Sequence, residues 1–428
     1  MKIIYVKPDT ESTVFYYRCQ QMMCYLSKRG HYCIPMPELK DKEGNLTEAH
    51  IQMIKDTLYN ADFLWLVTPG GKDLLTFVAE YTKINIMDNK VAANMLANDI
   101  TAGDFLKENK ISDKPLRILI DYDDDIFSVL PDAADYVFRG RKEVKVKDNG
   151  EWKYLWKDGE MYKTILNGKD YTFDIERNKT RLRTQLELLK FADIVTSPSP
   201  KILDRLHRFA KNADGHYLPN AIDSHYFTPI PHSTDDKVRL IWAISTSHHQ
   251  DWLELYPWIG EAMVKYPNLE LHVMGTKFGV DESLIDTSRM YYIPWVQGVE
   301  RYAWTISANI ADIGIAHVSN NTFNKYKSPL KATEMITMGI PCLCSGNLYG
   351  NFIPADVARV YYNKEQFIKC IDDLMINRDL PVSAEEWIYD NYSLDKVGRY
   401  LENILVELSN KPLYQTADIL NPKGEVIL

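Results

Sequence analysis

Short apolar runs alternate with amphipathic stretches of helical length along most of the chain. Clear examples are residues 61–67, 116–120 and 238–244, each of which is apolar except for one charged residue near its start and does not alternate. Runs of this length indicate strands that are buried on both faces, as in parallel sheets. Because helical stretches separate them, the order of elements predicts an α/β fold with helices on both sides of each sheet.

Residues 139–177 depart from this order. Their polar and apolar positions alternate, and the turn pairs Asn149-Gly150 and Asn167-Gly168 separate the alternating segments. Asn-Gly between alternating segments is a strong hairpin signal. We therefore predict a β-rich insertion of a few short strands within the first part of the chain.

The chain of 428 residues exceeds what one hydrophobic core usually supports, so two domains are expected. A stretch rich in proline and aspartate near residues 228–236 resembles a linker. We predict a first domain over 1–225, a second over 237–400, and a final segment over 401–428.

Composition and charge narrow the class of protein. The formal net charge of -9 argues against a generally basic surface but allows a local basic groove. No apolar run is long enough for a membrane span, and no leader peptide is visible. The six cysteines have no CxxC spacing, so a structural zinc site is not expected. We expect the protein to reside in a reducing cytoplasm.

Residues 309–346 carry the densest candidate chemistry. A short apolar run predicts a buried strand, and a polar loop follows it. Pro329 fits the first turn of a helix, and Gly339 fits its left-handed end. The loop and helix start therefore lie at the carboxyl edge of a parallel sheet, where ligands bind in open α/β folds. Helix amides beside Lys327 and Lys331 predict an anion site suited to a diphosphate.

The pattern KSPLKATEMITMGIP, residues 327–341, resembles the nucleotide-sugar segment of retaining glycosyltransferases of the glycosyltransferase-4 (group 1) type. Segments of residues 192–229 (ADIVTSPSPKILDRL and HYLPNAIDSHYFTP) and 241–252 (IWAISTSHHQDW) agree with it. The resemblance implies the GT-B fold, in which two Rossmann-like domains face a cleft. The first domain would bind the acceptor and the second the nucleotide sugar, with residues 401–428 returning to the first.

The resemblance also implies roles for individual residues. Glu334 would hold the nucleotide ribose, and Lys331 would stabilise the diphosphate leaving group during catalysis. His248 matches the histidine of a GSxxHxxD pattern in some relatives; a surface histidine beside a helix start is the alternative. The implied donor-binding residues are His248, Lys327, Ser328, Pro329, Leu330, Lys331 and Glu334. The usual donor-sugar glutamate is Tyr326 here, and no cofactor or metal beyond the donor nucleotide sugar is expected.

An acidic run, DYDDD at residues 121–125, follows the predicted strand 116–120. We expect Asp123 and Asp125 to face the cleft, contact sugar hydroxyls and take a catalytic role. One alternative is a metal-binding DxD motif, because hard cations take carboxylate oxygens. The other is an aspartate N-cap with solvated neighbours.

Further candidates for the acceptor side come from three segments. Gly70 and Gly71 follow a predicted strand and allow close approach of a ligand, although a tight turn would need them equally. Trp152 and Trp156 could stack on an acceptor or could form the core of the insertion. Arg18 is predicted on a solvated helix face, with an acceptor contact as the alternative. The full set of acceptor candidates is Gly70, Gly71, Asp123, Trp152, Trp156 and Arg181.

Three phrases, DYDDDIF, YLWKDG and FDIERNKTRL, resemble glycosyltransferases of tailed bacteriophages. They imply hydroxymethylated pyrimidine in double-stranded DNA as the acceptor. Polysaccharide, a lipid-linked sugar or a small molecule is the alternative acceptor. Outside sugar transfer, the alternatives are an inactive sugar-nucleotide-binding protein, and a pyrophosphorylase or epimerase of the same fold.

Overall fold

The computed structural model describes residues 1–6, 13–38, 48–69, 78, 116–163, 170–231 and 233–410, so the candidates Gly70 and Gly71 lie outside the described residues. The strands are β1 (Lys2–Val6), β2 (Tyr32–Pro35), β3 (Phe63–Val67), β4 (Arg117–Asp121), β5 (Val144–Asp148), β6 (Glu151–Trp156), β7 (Met161–Lys163), β8 (Asp170–Thr172), β9 (Ile194–Ser197), β10 (Asp214–Tyr217), β11 (Val238–Ile244), β12 (Leu269–Gly275), β13 (Met290–Pro294), β14 (Ile313–Ala316), β15 (Cys342–Ser345) and β16 (Arg359–Tyr361). The α-helices are α1 (Thr13–Phe15), α2 (Gln21–Lys28), α3 (Glu48–Leu58), α4 (Tyr136–Arg139), α5 (Ile175–Leu189), α6 (Pro200–Leu206), α7 (His249–Lys265), α8 (Val299–Ala308), α9 (Leu330–Thr337), α10 (Lys364–Ile376), α11 (Val382–Tyr392) and α12 (Leu394–Asn410).

These elements form two compact units. The first unit contains the described residues of Met1–Asp123, Thr180–Leu218 and Gly398–Leu428, and the second contains those of Asp124–Lys179 and Pro219–Val397. Residues 124–179 therefore interrupt the first unit along the chain but group with the second unit by their contacts.

The first unit is built on a parallel sheet with strand order β10-β9-β4-β3-β1-β2. All five residues of β3, FLWLV, are buried, which explains why this strand is a continuous apolar run. In this sheet β1 lies between β2 and β3. The order in which strands are added therefore reverses after β2, and the point of reversal lies between the neighbouring strands β1 and β3. The loops that follow these two strands lie largely outside the described residues.

The second unit is built on another parallel sheet, with strand order β13-β12-β11-β14-β15-β16. The chain first moves outward from β11 to β13 and then returns to place β14 on the other side of β11. Helix α9 packs closely on β14. The close approach is seen at Gly314, where an added Cβ atom would lie 2.8 Å from Cγ of Met335. The carboxyl ends of β11 and β14 thus form the switch point of this sheet.

Arg18 is buried, so the prediction of a solvated helix face for it was wrong. It lies in a π-helical turn, Tyr16–Gln20, between α1 and α2, and only 1% of it is exposed. Its Nε donates to Oδ1 of Asp121 over 2.9 Å, and its Nη1 donates to the carbonyl of Leu218 over 2.8 Å. Thr196 donates its hydroxyl to the same carboxylate. The end of β4 is therefore occupied by a buried ion pair.

The predicted β-rich insertion consists of two antiparallel hairpins, β5–β6 and β7–β8. A small aromatic core of Tyr136, Trp156 and Phe173 holds them, with Phe173 fully buried. Trp156 also donates its indole N–H to the carbonyl of Pro131. The alternative in which aromatic residues form the core of the insertion is therefore the observed one for Trp156.

All six cysteines are free thiols, and Cys342 and Cys344 are buried in β15. In the described part of the chain, no helix has both the length and the apolar character that crossing a membrane requires.

Candidate functional site

The switch point of the second sheet brings together two loops with polar side chains. After β11 the chain forms a short 3₁₀ turn, Thr246–His248, and enters α7. After β14 it passes through a polar loop and a second 3₁₀ turn, Asn324–Tyr326, before α9. Both loops leave the carboxyl ends of adjacent parallel strands, so their side chains meet at one edge of the sheet.

Asp251, in the first turn of α7, connects these two loops. It is 1% exposed. Its Oδ1 accepts hydrogen bonds from the backbone N–H of Ser319 at 2.7 Å, from the Ser319 hydroxyl at 2.8 Å and from the Asn324 amide at 2.8 Å. Its Oδ2 lies 2.7 Å from Nδ1 of His248. One buried carboxylate thereby fixes the loop that leads to α9.

Charge and burial set the protonation of the His248–Asp251 pair. Burial and the positive charge of Lys327 lower the pKa of His248 to about 4. Burial acts to raise the pKa of Asp251, but the hydrogen bond with His248 and the charge of Lys327 outweigh it and hold that pKa well below its usual range. At neutral pH the pair is therefore a neutral imidazole and a carboxylate. Since the carboxylate can only accept, the imidazole proton is assigned to Nδ1.

The front of α9 presents the predicted anion-binding residues. Pro329 occupies the N-cap position, and the amides of Ala332 and Thr333 bond back to its carbonyl. The preceding Ser328 accepts a hydrogen bond from the Asn220 amide at 3.1 Å. Among the described residues no carboxylate lies within ion-pair distance of Lys327, whose Nζ is 5.2 Å from the ring centre of Phe323. The helix amides and this cation thus share one end of the helix.

Glu334 forms a network that the sequence did not predict. Only 2% of Glu334 is exposed, and its Oε2 accepts a hydrogen bond from the hydroxyl of Tyr302 at 3.0 Å. Lys331 Nζ lies 3.2 Å from the same hydroxyl and 3.5 Å from Oε2 of Glu334. Burial and the neighbouring carboxylate raise the pKa of Tyr302 well above its usual range, so the hydroxyl keeps its proton and donates. Lys331 and Glu334 therefore compensate each other's charge in this structure.

The structure brings the predicted donor-binding residues together around α9 and the start of α7. Sequence reasoning missed Asp251, Tyr302 and Ser319. The spacing of His248 and Asp251, three residues apart at a helix start, was a usable signal. Tyr302 and Ser319 reach the site from other elements, and nothing in their local sequence marks them.

The predicted acidic candidates differ in burial. Asp125 is 2% exposed, and its Oδ1 accepts a hydrogen bond from the backbone N–H of Phe127 at 3.2 Å. Asp123 is half-buried. Asp121 is the last residue of β4 and forms the buried ion pair with Arg18. No group of three or more potential metal ligands occurs among the described residues.

The remaining acceptor candidates differ in exposure. Trp156 is 8% exposed and lies in the core of the hairpins, so its burial leaves little surface for an acceptor. Trp152, in contrast, is 69% exposed. Arg181 is exposed on α5.

Comparison with known proteins identifies the fold. No family model matches this chain, and no curated protein matches its sequence. A sucrose-phosphate synthase from Thermosynechococcus elongatus matches with 13% identity and a TM-score of 0.52, over 95% of this chain and 99% of that one. The HepE protein of Anabaena, solved with UDP and glucose, matches with 10% identity and a TM-score of 0.51, over 95% and 100%. A glycosyltransferase from Rickettsia africae matches with 11% identity and a TM-score of 0.52, over 96% and 99%.

At these identities the similarity establishes the fold alone. With two parallel six-stranded sheets, the chain has the α/β GT-B fold, as predicted. The class of protein defined by fold and site is therefore a GT-B protein with a polar, cation-bearing switch point in its second unit.

Proposed function

We propose that this protein is a glycosyltransferase that binds a nucleotide-diphosphate sugar in its second unit and transfers the sugar to an acceptor hydroxyl. The observation that carries the proposal is the switch point, where Lys327, Lys331 and the start of α9 stand beside the Asp251-anchored loop. Three solved proteins of the same fold support it: one is a glycosyltransferase, one a sucrose-phosphate synthase, and one holds UDP and glucose.

The reaction breaks the bond between the anomeric carbon and a diphosphate oxygen and forms a bond from that carbon to the acceptor oxygen. The proton of the acceptor hydroxyl passes to the departing diphosphate or to solvent. The main catalytic requirement is to stabilise the negative charge that develops on the departing diphosphate. Lys327 and the α9 amides would hold the diphosphate, and Lys331 would turn from Glu334 towards it. Glu334 would then accept hydrogen bonds from the ribose. No metal ion is required by this scheme, and retention of anomeric configuration rests on the resemblance of residues 327–341.

Neutral His248 affects what this site can bind. With Nδ1 donating to Asp251, Nε2 carries a lone pair and accepts rather than donates. A bound diphosphate would raise the pKa of His248 by its negative charge and favour protonation, which would supply a second donor. His248 would therefore contact the donor phosphates in its protonated form.

For the acceptor we propose a hydroxymethylated pyrimidine of phage DNA. Polysaccharide and lipid-linked sugars are the alternative acceptors. Reaching a base in a duplex would require flipping it out of the stack. The six free thiols support a reducing compartment, which we take to be the cytoplasm of a bacterial host.

A transfer assay tests the proposal. The protein is incubated with UDP-, GDP-, ADP- and CMP-linked sugars, with DNA that contains hydroxymethylcytosine or with the same DNA containing cytosine. Released nucleotide and the masses of the digested nucleosides are measured. We expect release from one donor and a mass gain of one sugar on hydroxymethylcytosine alone. Nucleotide binding without release for any acceptor would identify an inactive binding protein, and free sugar or an altered nucleotide sugar would identify a pyrophosphorylase or epimerase.

A further inference from the structure

Hairpin β5–β6 stands out into solvent from a buried base. Each residue from Lys145 to Tyr154 is exposed, whereas Trp156 at the end of β6 is buried in the aromatic core. A two-stranded hairpin without packing on either face is marginal by itself. The buried base therefore keeps it ordered and leaves the outer part free to meet a partner.

One face of this hairpin combines cations with aromatic rings. In the antiparallel register Lys145 is opposite Tyr154 and Lys147 is opposite Trp152, so these four side chains lie on the same face. Lys145 Nζ lies 4.4 Å from the ring centre of Tyr154. We call these four residues the Lys/aromatic face.

The opposite face of the hairpin has a different character. It carries Val146 opposite Lys153 and Asp148 opposite Glu151. Lys153 donates to Asp148 over 2.9 Å, so its charge is already compensated. The positive charge of the hairpin is therefore concentrated on the Lys/aromatic face.

We infer that the Lys/aromatic face binds single-stranded nucleic acid. Trp152 and Tyr154 are two residues apart on one strand, which places their side chains about 7 Å apart along it. Successive unpaired bases can stack on such rings, and the lysines on the adjacent strand can contact the phosphates that join those bases. Trp152, at 69% exposure, is the open stacking surface.

Charge complementarity favours this partner over other polymers. The chain as a whole carries a formal net charge of -9, which disfavours polyanions except where cations are concentrated. A neutral polysaccharide would contact the rings without using the lysines, and an acidic polysaccharide has no planar π systems to stack on Trp152. In a duplex the faces of the bases are covered by their neighbours. An unpaired strand offers both stacking faces and phosphates.

The inference concerns the nucleic acid of the proposed acceptor. It rests on the proposed function only for its biological role, because binding to the Lys/aromatic face does not require sugar transfer. Binding is therefore measured without a nucleotide sugar, by fluorescence anisotropy of a short labelled oligothymidylate. The salt concentration is varied from about 50 to about 200 mM, because phosphate contacts appear in the salt dependence. UDP binding is measured separately, so failure of sugar transfer and failure of this face are told apart.

Three variants separate the contribution of stacking to binding from the contribution of positive charge. Trp152→Ala should weaken binding about ten-fold and leave the salt slope unchanged, because it removes stacking and no charge. Lys145→Ala with Lys147→Ala should reduce the slope of log K against log salt by about 1.4, at about 0.7 for each phosphate contact of a single strand. Lys153→Ala removes one positive charge from the opposite face and should change affinity by less than about two-fold.

Several results would overturn the inference. The first is the absence of binding at the lowest salt. The second is an equal effect of Lys153→Ala and of the double variant Lys145→Ala with Lys147→Ala. The third is a Trp152→Ala variant that binds as tightly as the unaltered protein. Heparin that competes equally well whether or not Trp152 is present would indicate a general polyanion surface instead. Circular dichroism and the unfolding midpoint confirm that each exposed-site variant is folded.

Discussion

His248 and Asp251 behave as one hydrogen-bonded unit at the start of α7. Their spacing of three residues is visible in the sequence, and the resemblance to a GSxxHxxD pattern singled out the histidine. The pattern did not reveal that Asp251 also accepts three bonds from Ser319 and Asn324, which lie more than 60 residues further along the chain. Local spacing was therefore predictable, whereas the partners brought by the fold were not.

Acid should destabilise the protein through His248. Its pKa falls from 6.5 to about 4 on folding, so between these values the unfolded chain binds the proton more tightly and stability is lost as the pH drops. We expect a loss of about 1–2 kcal/mol between pH 7 and pH 5, measured by urea unfolding. His248→Gln should show a smaller loss, because it does not titrate.

The neighbouring His249 provides the control for this measurement. Its side chain is 45% exposed, and His249→Gln is measured beside His248→Gln as the matched substitution of an exposed histidine. An unchanged pH dependence in His248→Gln would contradict the assigned protonation state of the pair.

At the scale of elements, the strands were predictable because they are buried on both faces. Residues 61–67 and 238–244 contain β3 and β11, and the predicted helix after Pro329 is α9. The π-helical turn at Tyr16–Gln20 was not predictable, since its ordinary helical sequence gives no sign of an extra residue in the turn. Nor was the pairing of Arg18 with Asp121, which are 103 residues apart.

Removing Arg18 tests whether this ion pair holds the end of β4. Arg18→Leu leaves the Asp121 carboxylate buried and partly uncompensated, and we expect the free energy of unfolding to fall by about 3–5 kcal/mol. Adding Asp121→Leu should recover much of this loss, because two apolar side chains can replace a buried pair. Urea unfolding followed by circular dichroism measures both effects.

Arg29 offers a matched surface comparison. It pairs with Glu402 at 3.0 Å but is 50% exposed, so Arg29→Leu should cost less than about 1 kcal/mol. Equal losses for Arg18→Leu and Arg29→Leu would show that the buried pair has no special structural role.

At the scale of the whole molecule, two parallel-sheet units share one chain that passes between them repeatedly. The alternation of strands and helices predicted this architecture, and the Asn149-Gly150 pair predicted the β5–β6 hairpin, whereas Asn167-Gly168 lies outside the described residues. The contact grouping of residues 124–179 with the second unit was not predictable, because it depends on packing between distant segments. The proposed donor site lies in the second unit, where the switch point, α9 and the loop anchored by Asp251 are all described.

Nucleotide binding to this unit tests the central claim most directly. Isothermal titration with UDP, GDP, ADP and CMP is performed on the unaltered protein, on Lys331→Ala and on Lys325→Ala, a variant of an exposed lysine in the same loop. We predict that one nucleoside diphosphate binds, that Lys331→Ala weakens it at least about ten-fold through loss of a charge-assisted hydrogen bond, and that Lys325→Ala binds normally. Absence of binding by every nucleotide, or equal affinity of Lys331→Ala and the unaltered protein, would contradict the account.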